Sequence, residues 1–238
     1  MEDIFLQEEQ VIKMAEDLLN SNKIETKNDA MEYKALLDKY KKLVKQMMTL
    51  IKISDLNHSE LNLLSKRFKI ASGIDSLTEL YNRRYFDEIF QKEWLNAIRH
   101  KLPLAVIMVD VDHFKEYNDI YGHLMGDSCL KTISKAIRNS ALRSSDIVAR
   151  FGGDEFIVLL PETNENGSVR VAERIIMNME KLNINNSGSP NFRKVTVSVG
   201  VAVEFPKSDK VSSELLHMSD VALYCAKTEG RNCFRIYK

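Results

Sequence analysis

Residues 146–160 read Asp146-Ile-Val-Ala-Arg-Phe-Gly-Gly-Asp-Glu-Phe-Ile-Val-Leu-Leu160, and this stretch decides how the chain of 238 residues folds. Two β-prone runs, Ile147–Phe151 and Phe156–Leu160, are separated by a glycine pair. Glycine adopts the positive φ angles that a tight hairpin turn needs, so the pattern predicts a β-hairpin.

Asp154 and Glu155 stand side by side directly after the glycine pair. A hairpin does not require them, and adjacent carboxylates repel each other unless a cation or a proton relieves them. The stretch therefore permits two interpretations, a solvated turn or a corner that binds a cation. The rest of the sequence decides between them.

The charge balance limits the kinds of partner that the chain can bind. Lys+Arg and Asp+Glu number 34 each, so the formal net charge is zero. A chain without excess positive charge is poorly suited to polymeric nucleic acid, which we therefore exclude as a partner. A small phosphorylated ligand remains possible because it needs only a few local cations.

The sequence also bears on membrane association and on the redox state of the cysteines. The longest wholly apolar run, Leu104–Val109, is far shorter than the roughly 20 residues that span a bilayer. The N-terminus is acidic where a signal peptide is basic. Cys129, Cys225 and Cys233 are odd in number and form no Cys-x-x-Cys pair, which indicates reduced thiols and no zinc site. We expect a soluble cytoplasmic protein that has no membrane partner.

Residues 1–72 are predicted to be a helical, coiled-coil dimerisation region. Residues 2–20 place apolar side chains on one helical face, and a second helix begins near Asp29. Its apolar residues alternate at spacings of three and four, which is typical of a coiled coil, although one long helix packed on its own domain would also show this pattern. The predicted seam comprises Tyr33, Leu36, Tyr40, Leu43, Met47, Leu50, Ser54, Asn57, Leu61, Leu64 and Phe68. We favour a homodimer because the other faces are mostly charged.

Residues 73–238 are predicted to form a second domain, and Ala71-Ser-Gly73 marks the boundary. The apolar patterns give the order helix, strand, helix, helix, hairpin, helix, strand, helix, strand. This order predicts an α/β (α+β) layer fold with one sheet. The run Leu104–Val109 predicts a central strand that is buried on both faces, and alternating valines predict another strand over 195–203.

Asp110 follows the central strand, at the sheet edge where α/β folds place ligands. If the hairpin lies beside this strand, Asp110 meets Asp154 and Glu155. Three clustered carboxylates in a partly buried site would be strongly unfavourable without a cation. Ligation by oxygen alone points to Mg²⁺ or Mn²⁺, and such an ion typically completes its shell with substrate phosphates.

Several polar residues suit a nucleotide at this edge. Lys115 follows the acidic strand end, and Lys227 and Arg231 lie four residues apart around the end of the last helix, where they would also offset the helix dipole. Asn118 and Asp127 offer an amide and a carboxylate that could read the guanine edge. Considered singly, they would more often be a helix cap and a helix-start residue.

These residues resemble the motifs of GGDEF domains, and the chain is similar to a diguanylate cyclase from about residue 75 to residue 237. One departure is Glu79, which stands where the family commonly has glycine and bears only on the conformation of that turn. The matching blocks are Asp75-x-Leu-Thr-x-Leu-x-Asn-Arg-Arg84, Asp110-Val-Asp-x-Phe-Lys-x-x-Asn-Asp119, Gly122-His-x-x-Gly-Asp127, Arg150 with the Gly-Gly-Asp-Glu-Phe hairpin, Val197-Ser-Val-Gly200, and Tyr224-x-Ala-Lys-x-x-Gly-Arg-Asn232.

The resemblance implies a nucleotidyl-cyclase-like GGDEF domain, with a central mixed sheet flanked by helices, that converts two GTP into cyclic di-GMP and two pyrophosphates. A ribose 3′-hydroxyl of one GTP would attack the α-phosphorus of the other. Asp110, the Val111 carbonyl, Asp154 and Glu155 would hold Mg²⁺ or Mn²⁺. The three acids would be the catalytic residues, with Asp154 or Glu155 taking the proton.

The resemblance also implies where the substrate binds. Asn118 and Asp127 would recognise guanine, and Lys115, Lys227 and Arg231 would bind phosphates. One domain of this type holds one GTP, so two domains must face each other. The homodimer would then raise the effective concentration of one half-site for the other.

Arg143-Ser-Ser-Asp146 matches the inhibitory Arg-x-x-Asp site of the family. Arginine can grip a phosphate or the guanine O6/N7 edge, and aspartate can accept from guanine N1–H and N2–H₂. The match implies feedback inhibition by cyclic di-GMP. The rival interpretation is a catalytically silent receptor that binds GTP or cyclic di-GMP without turnover, but silent members usually lose a carboxylate or phosphate ligand and none is missing here.

Overall fold

The computed structural model describes residues 6–20, 27–71 and 73–238. The chain separates into two compact units, residues 1–65 and 66–238. Residues 1–5, where the first helix is predicted to begin, lie outside the described part. The domain boundary between residues 72 and 73 stays a prediction.

The N-terminal unit is built from α1 (Leu6–Asn20) and the greater part of α2 (Lys27–Ala71). Lys41 Nζ of α2 lies 2.5 Å from Glu16 Oε1 of α1, so an ion pair joins the two helices. Both partners are substantially exposed, and an exposed pair of this kind contributes little to stability. None of the described helices combines the length and the hydropathy that a bilayer span requires.

The predicted coiled-coil seam is largely exposed in the single chain. Leu37 and Val44 of α2 are buried. By contrast, the seam residues Leu36, Leu43 and Leu50 are 66%, 58% and 65% exposed. Leucines left this open along one helix provide an apolar surface for a partner, so the homodimer remains a proposal that this exposure supports. The Phe68 side chain lies outside what the structure describes.

The second unit contains a mixed sheet whose strand order within the described residues is β1-β3-β4-β2-β5-β6. The β1–β3 and β5–β6 pairs are parallel, and the others are antiparallel. The elements in chain order are β1 (Tyr81–Asn82), α3 (Arg83–His100), β2 (Leu104–Val111), α4 (Phe114–Tyr121), α5 (His123–Arg138), β3 (Ile147–Gly152), β4 (Glu155–Pro161), α6 (Glu165–Leu182), β5 (Val197–Glu204), α7 (Ser212–Thr228) and β6 (Phe234–Ile236).

Helices cover both faces of this sheet. One core packs α3 and α7 against the sheet through residues such as Phe90 and Leu223. The other packs α5 and α6 through residues such as Ile133 and Ile175. Successive residues of β2 alternate between the two cores, which is why its sequence is apolar without interruption. The predicted central strand is therefore confirmed.

The close approach of α7 to β5 depends on Gly200. A Cβ at this position would lie 2.1 Å from the Ser219 carbonyl oxygen and 2.2 Å from the Leu223 nitrogen. Because those atoms belong to the backbone of α7, they cannot rotate away as a side chain could. The glycine therefore lets the last helix lie directly on the sheet.

The structure corrects the sequence prediction at two strands. The sequence pattern did not predict β1, because a strand of two residues is too short to show any periodicity. It also ended the central strand before Asp110, whereas β2 continues to Val111. Ladder pairing with β4 and β5 carries the strand past its last apolar run, so Asp110 is a strand residue.

Candidate active site

Strand pairing brings the predicted metal ligands together. In the antiparallel β2–β4 ladder, Asp110 is the direct partner of Glu155. The Val111 amide donates to the Asp154 carbonyl oxygen at 3.4 Å. Glu155 thus lies beside Asp110 on the adjacent strand, and Asp154 lies in the turn just before it, as the sequence predicts.

Arg150 holds the hairpin corner in place. Its Nε and Nη2 atoms donate to the Gly153 carbonyl oxygen at 2.9 and 2.6 Å. Its Nη1 atom lies 3.3 Å from Asp75 Oδ1, which also accepts from the Thr78 amide and hydroxyl. Burial raises the pKa of Asp75, but the Thr78 hydrogen bonds and the Arg150 charge outweigh it, so the pKa lies below its ordinary value. Sequence reasoning found Arg150 in a motif but missed this positioning role.

Lys227 pairs directly with Asp110 in this structure. Lys227 Nζ of α7 lies 2.7 Å from Asp110 Oδ2, whose side chain is only 13% exposed. Burial raises the pKa of Asp110 to about 6 against the hydrogen bond and charge of Lys227, and the charges of Asp154 and Glu155 raise it further. Its surroundings therefore disfavour the ionised form of Asp110, and Lys227 favours it.

The donor set suits a hard divalent cation. Among the described residues, no three His, Cys, Asp or Glu side chains are gathered into a ready metal site. The expected group of carboxylates is thus present in the strand register but not in the side-chain arrangement. Asp154 and Glu155 would have to turn toward Asp110 to share an ion. Carboxylate and carbonyl oxygens are the ligands that Mg²⁺ prefers, and the position already accommodates one cation, so the residues fit the ion.

The other predicted cations lie on separate elements. Arg231 lies in the turn between α7 and β6 with φ of 65°. It is half-buried. Lys115 is exposed in the first turn of α4. The structure thus places the three cations on the elements that follow β2 and precede β6, and their role as phosphate ligands stays a prediction.

Asn118 has a side-chain acceptor that lacks a hydrogen-bond partner in the described structure. Its Oδ1 atom is buried and has no hydrogen-bond partner among the described residues. A Cβ on Gly126 would lie 1.8 Å from that atom, so only glycine at 126 leaves space for the amide. A buried acceptor without a donor is unfavourable by about 1–3 kcal/mol, and native proteins retain few such groups.

Asp127 lies near Asn118 in the chain but on the neighbouring helix. It is the fifth residue of α5 and is exposed, so it does not serve as a helix-start residue. Asn118 sits within α4 and does not cap it, since His113 occupies the N-cap position. The structure therefore removes both of the ordinary explanations for these two residues.

The predicted inhibitory site also contains a buried side-chain oxygen without a hydrogen-bond partner in the part of the chain that the structure describes. Asp146 Oδ2 accepts from the Arg143 amide at 3.0 Å, but Asp146 Oδ1 is buried without a partner in the described structure. Arg143 Nη1 donates to Thr163 Oγ1 at 3.2 Å. A cavity of about 290 Å³ is lined by Arg143, Asp146, Arg138 and Glu79, among others. Arg143 and Asp146 thus both line this cavity, and one Asp146 carboxylate oxygen has no hydrogen-bond partner among the described residues.

Residues 72–233 match the protein family described as “Diguanylate cyclase, GGDEF domain”. This chain belongs to that family. Diguanylate cyclase DosC from Escherichia coli (strain K12) is 42% identical over 166 residues, which are 70% of this chain and 35% of DosC. Diguanylate cyclase TpbB from Pseudomonas aeruginosa (strain PAO1) is 39% identical over 163 residues, which are 68% of this chain and 37% of TpbB. The chain therefore spans little more than a third of the length of these curated relatives.

Solved GGDEF structures resemble the fold. The diguanylate cyclase SiaD from Pseudomonas aeruginosa, solved in complex with its activator SiaC, is 29% identical with a TM-score of 0.63 and covers 98% of this chain and 85% of its own. The coiled coil and GGDEF domain of DgcB from Caulobacter crescentus, in complex with c-di-GMP, is 26% identical with a TM-score of 0.62 and covers 80% of this chain and 98% of its own. The predicted GGDEF fold is confirmed. The turn at Glu79, where the sequence departs from the family, adopts φ of 61°, the region that glycine favours.

Gly126→Ala should weaken binding of a guanine nucleotide at least about tenfold, because the new methyl group would displace the Asn118 amide. Binding is measured by isothermal titration calorimetry with 3′-deoxy-GTP, which lacks the attacking hydroxyl and is not consumed. Lys131→Ala, on the exposed side of the same helix, is the matched control. Equal affinity of the two folded variants would contradict the assignment of Asn118.

Proposed function

We propose that this chain is a diguanylate cyclase that condenses two GTP into cyclic di-GMP and two pyrophosphates. The observation that carries the proposal is the β2–β4 register, which places Asp110 opposite Glu155 and beside Asp154 in a chain of the GGDEF family. No carboxylate or cation of the family's motifs is replaced. GTP is a cytoplasmic nucleotide, so we place the active site in the cytoplasm.

Recognition of the base falls to α4 and α5. Asn118 Oδ1, buried without a donor, would accept an N–H of guanine, and Asp127 would accept from N1–H or N2–H₂. Adenine presents no N1–H or N2–H₂, so the carboxylate of Asp127 favours GTP over ATP. A site that hydrogen-bonds a particular edge rejects analogues that leave its polar groups unpaired.

Binding of the triphosphate falls to Lys115, Lys227 and Arg231. Lys227 now neutralises Asp110 and would move to the phosphates when a divalent ion replaces it there. Arg231 offers a planar fork of donors that suits phosphate oxygens. These cations would offset the charge that develops on the leaving pyrophosphate.

Metal chemistry completes the proposal. Asp110, the Val111 carbonyl, Asp154 and Glu155 would hold Mg²⁺ or Mn²⁺, which lowers the pKa of the attacking alcohol and neutralises charge on the α-phosphate. Asp154 or Glu155 would accept the proton of the 3′-hydroxyl. Arg150, by holding the Gly153 carbonyl, fixes the corner from which both acids project.

Purified chain supplied with GTP and Mg²⁺ should form one cyclic di-GMP for every two pyrophosphates, as resolved by chromatography. Asp154→Asn should lower the rate by on the order of 100-fold, because it weakens the ligation of the ion that neutralises transition-state charge. Asp220→Asn, an exposed carboxylate of α7, is the matched control. Folded protein that binds GTP yet forms no cyclic dinucleotide would favour the silent receptor instead.

The exposed seam of α2 supports a homodimer that brings two GTP-bound domains together. The polypeptide of DgcB that resembles this chain comprises a coiled coil and a GGDEF domain. Association along the seam would bury its open leucines and make the meeting of two half-sites intramolecular. We propose that residues 1–72 serve this purpose.

Leu43→Glu with Leu50→Glu should shift the protein to monomer and lower turnover per chain at nanomolar concentration at least about tenfold, because the effective concentration of the second half-site is lost. Sedimentation velocity and product formation are the measurements. Lys42→Glu with Thr49→Glu, at exposed positions of α2 off the seam, should leave both unchanged. Undiminished turnover by a monomeric seam variant would refute the proposal.

The Arg143–Asp146 turn supports feedback by the product. Asp146 Oδ1 lacks a donor, and Arg143 lies beside a cavity, so a guanine base with its phosphate would satisfy both. We propose that cyclic di-GMP binds at this turn and inhibits the enzyme.

Arg143→Ala should raise the cyclic di-GMP concentration required for half-inhibition at least about tenfold, since a charge-assisted bidentate contact is lost. Initial rates at several product concentrations measure this effect. Arg99→Ala, exposed at the end of α3, is the control. Inhibition of the Arg143 variant equal to that of the parent would rule out this site.

A further inference from the structure

The turn that carries Arg231 adopts an unfavourable backbone conformation. Gly230, Arg231 and Asn232 have successive φ angles of 120°, 65° and 47°. The left-handed region is unfavourable for a residue with a side chain by about 1–2 kcal/mol. Two such residues in a row persist only when the surrounding structure holds them in place.

Asp112 supplies part of that restraint. Its Oδ2 atom accepts the backbone N–H of Asn232 at 3.1 Å, in the middle of the turn. The same oxygen accepts from the Thr196 hydroxyl at 2.7 Å, and Oδ1 accepts from the Ser198 hydroxyl at 2.7 Å. The Asp112 amide donates to the Thr196 carbonyl oxygen at 2.9 Å. The Asp112 carboxylate is therefore held by Thr196, just before β5, and by Ser198 within β5.

The buried carboxylate of Asp112 accepts its hydrogen bonds from neutral donors. The residue is 2% exposed, and no lysine, arginine or histidine of the described chain pairs with its carboxylate. Burying a carboxylate without a cation is unfavourable by several kcal/mol unless hydrogen bonds satisfy it. A neutral side chain at this position could accept from the same hydroxyl and amide donors, and its burial would be less unfavourable than that of a carboxylate. Stability of the fold alone therefore does not explain an aspartate here.

The position of Asp112 links two parts of the candidate active site. It lies two residues after Asp110, which faces the hairpin acids, and it holds the residue next to Arg231. Arg231 also donates its backbone N–H to the Ala226 carbonyl oxygen at 3.0 Å, beside Lys227. One carboxylate thus links the end of β2, which carries Asp110, to the turn that carries Arg231.

We propose that Asp112 is a positioning residue that holds Arg231 in its left-handed conformation, aimed at the triphosphate. The proposal rests on the proposed function, in which Arg231 binds phosphate. Asp112 does not touch the substrate and acts through the Asn232 amide. Its loss would release the turn toward ordinary φ angles and withdraw the guanidinium from its place.

A double-mutant cycle with 3′-deoxy-GTP and Mg²⁺ tests this proposal, with affinity measured by isothermal titration calorimetry. Asp112→Asn retains the side-chain shape but replaces one acceptor by a donor, and we expect at least about tenfold weaker binding. Arg231→Ala should cause a similar loss. In the double variant, the second substitution should weaken nucleotide binding by less than about a further threefold, because the first has already displaced the arginine.

A merely structural role would not produce this coupling. Losses that multiply in the double variant, or an Asp112→Asn affinity equal to that of the parent, would overturn the proposal. If Asp112→Asn does not fold, Ser198→Ala removes one donor that orients the carboxylate, and the same cycle should show a loss of about threefold that vanishes in the Arg231→Ala background. A parent protein that fails to bind 3′-deoxy-GTP would instead overturn the proposed function, and this inference with it.

Discussion

The antiparallel pairing of β2 with β4 is the constraint on which the rest of the site depends. It sets Asp110 opposite Glu155 at the end of a strand that is buried on both faces. Like charges on adjacent strands repel, and burial raises the pKa of Asp110 to about 6. The pairing is tolerated because a cation is close at hand. In this structure the cation is Lys227, 2.7 Å away.

This arrangement gives Lys227 and a divalent ion overlapping roles. Both would neutralise Asp110, and the carboxylate oxygens cannot serve each of them fully at once. If Asp110 held a divalent ion, Lys227 would be available to bind the phosphates of the nucleotide.

Unsatisfied polar atoms mark the two proposed guanine sites. Asn118 Oδ1 and Asp146 Oδ1 are each buried without a partner among the described residues, and each belongs to a residue that the sequence predicts to contact a base. A protein rarely retains such atoms unless a ligand or water pairs them. Asp112 is the opposite case, because both of its carboxylate oxygens already accept hydrogen bonds from described residues, which is why we assign it to positioning rather than to substrate binding.

The sequence by itself determined most of the helices and strands and predicted which residues form the site. The apolar run before Asp110, the glycine pair and the cations around the last helix were recognisable because local spacing reflects local structure. Only the tertiary structure decided that Lys227 neutralises Asp110, that Arg150 holds the hairpin corner and that Asp112 restrains the turn of Arg231. The contacts of Lys227 with Asp110, of Arg150 with Asp75 and of Asp112 with Asn232 join residues far apart in the chain. Sequence periodicity cannot predict these contacts, because they depend on strand register and on the close packing of α7 against β5 at Gly200.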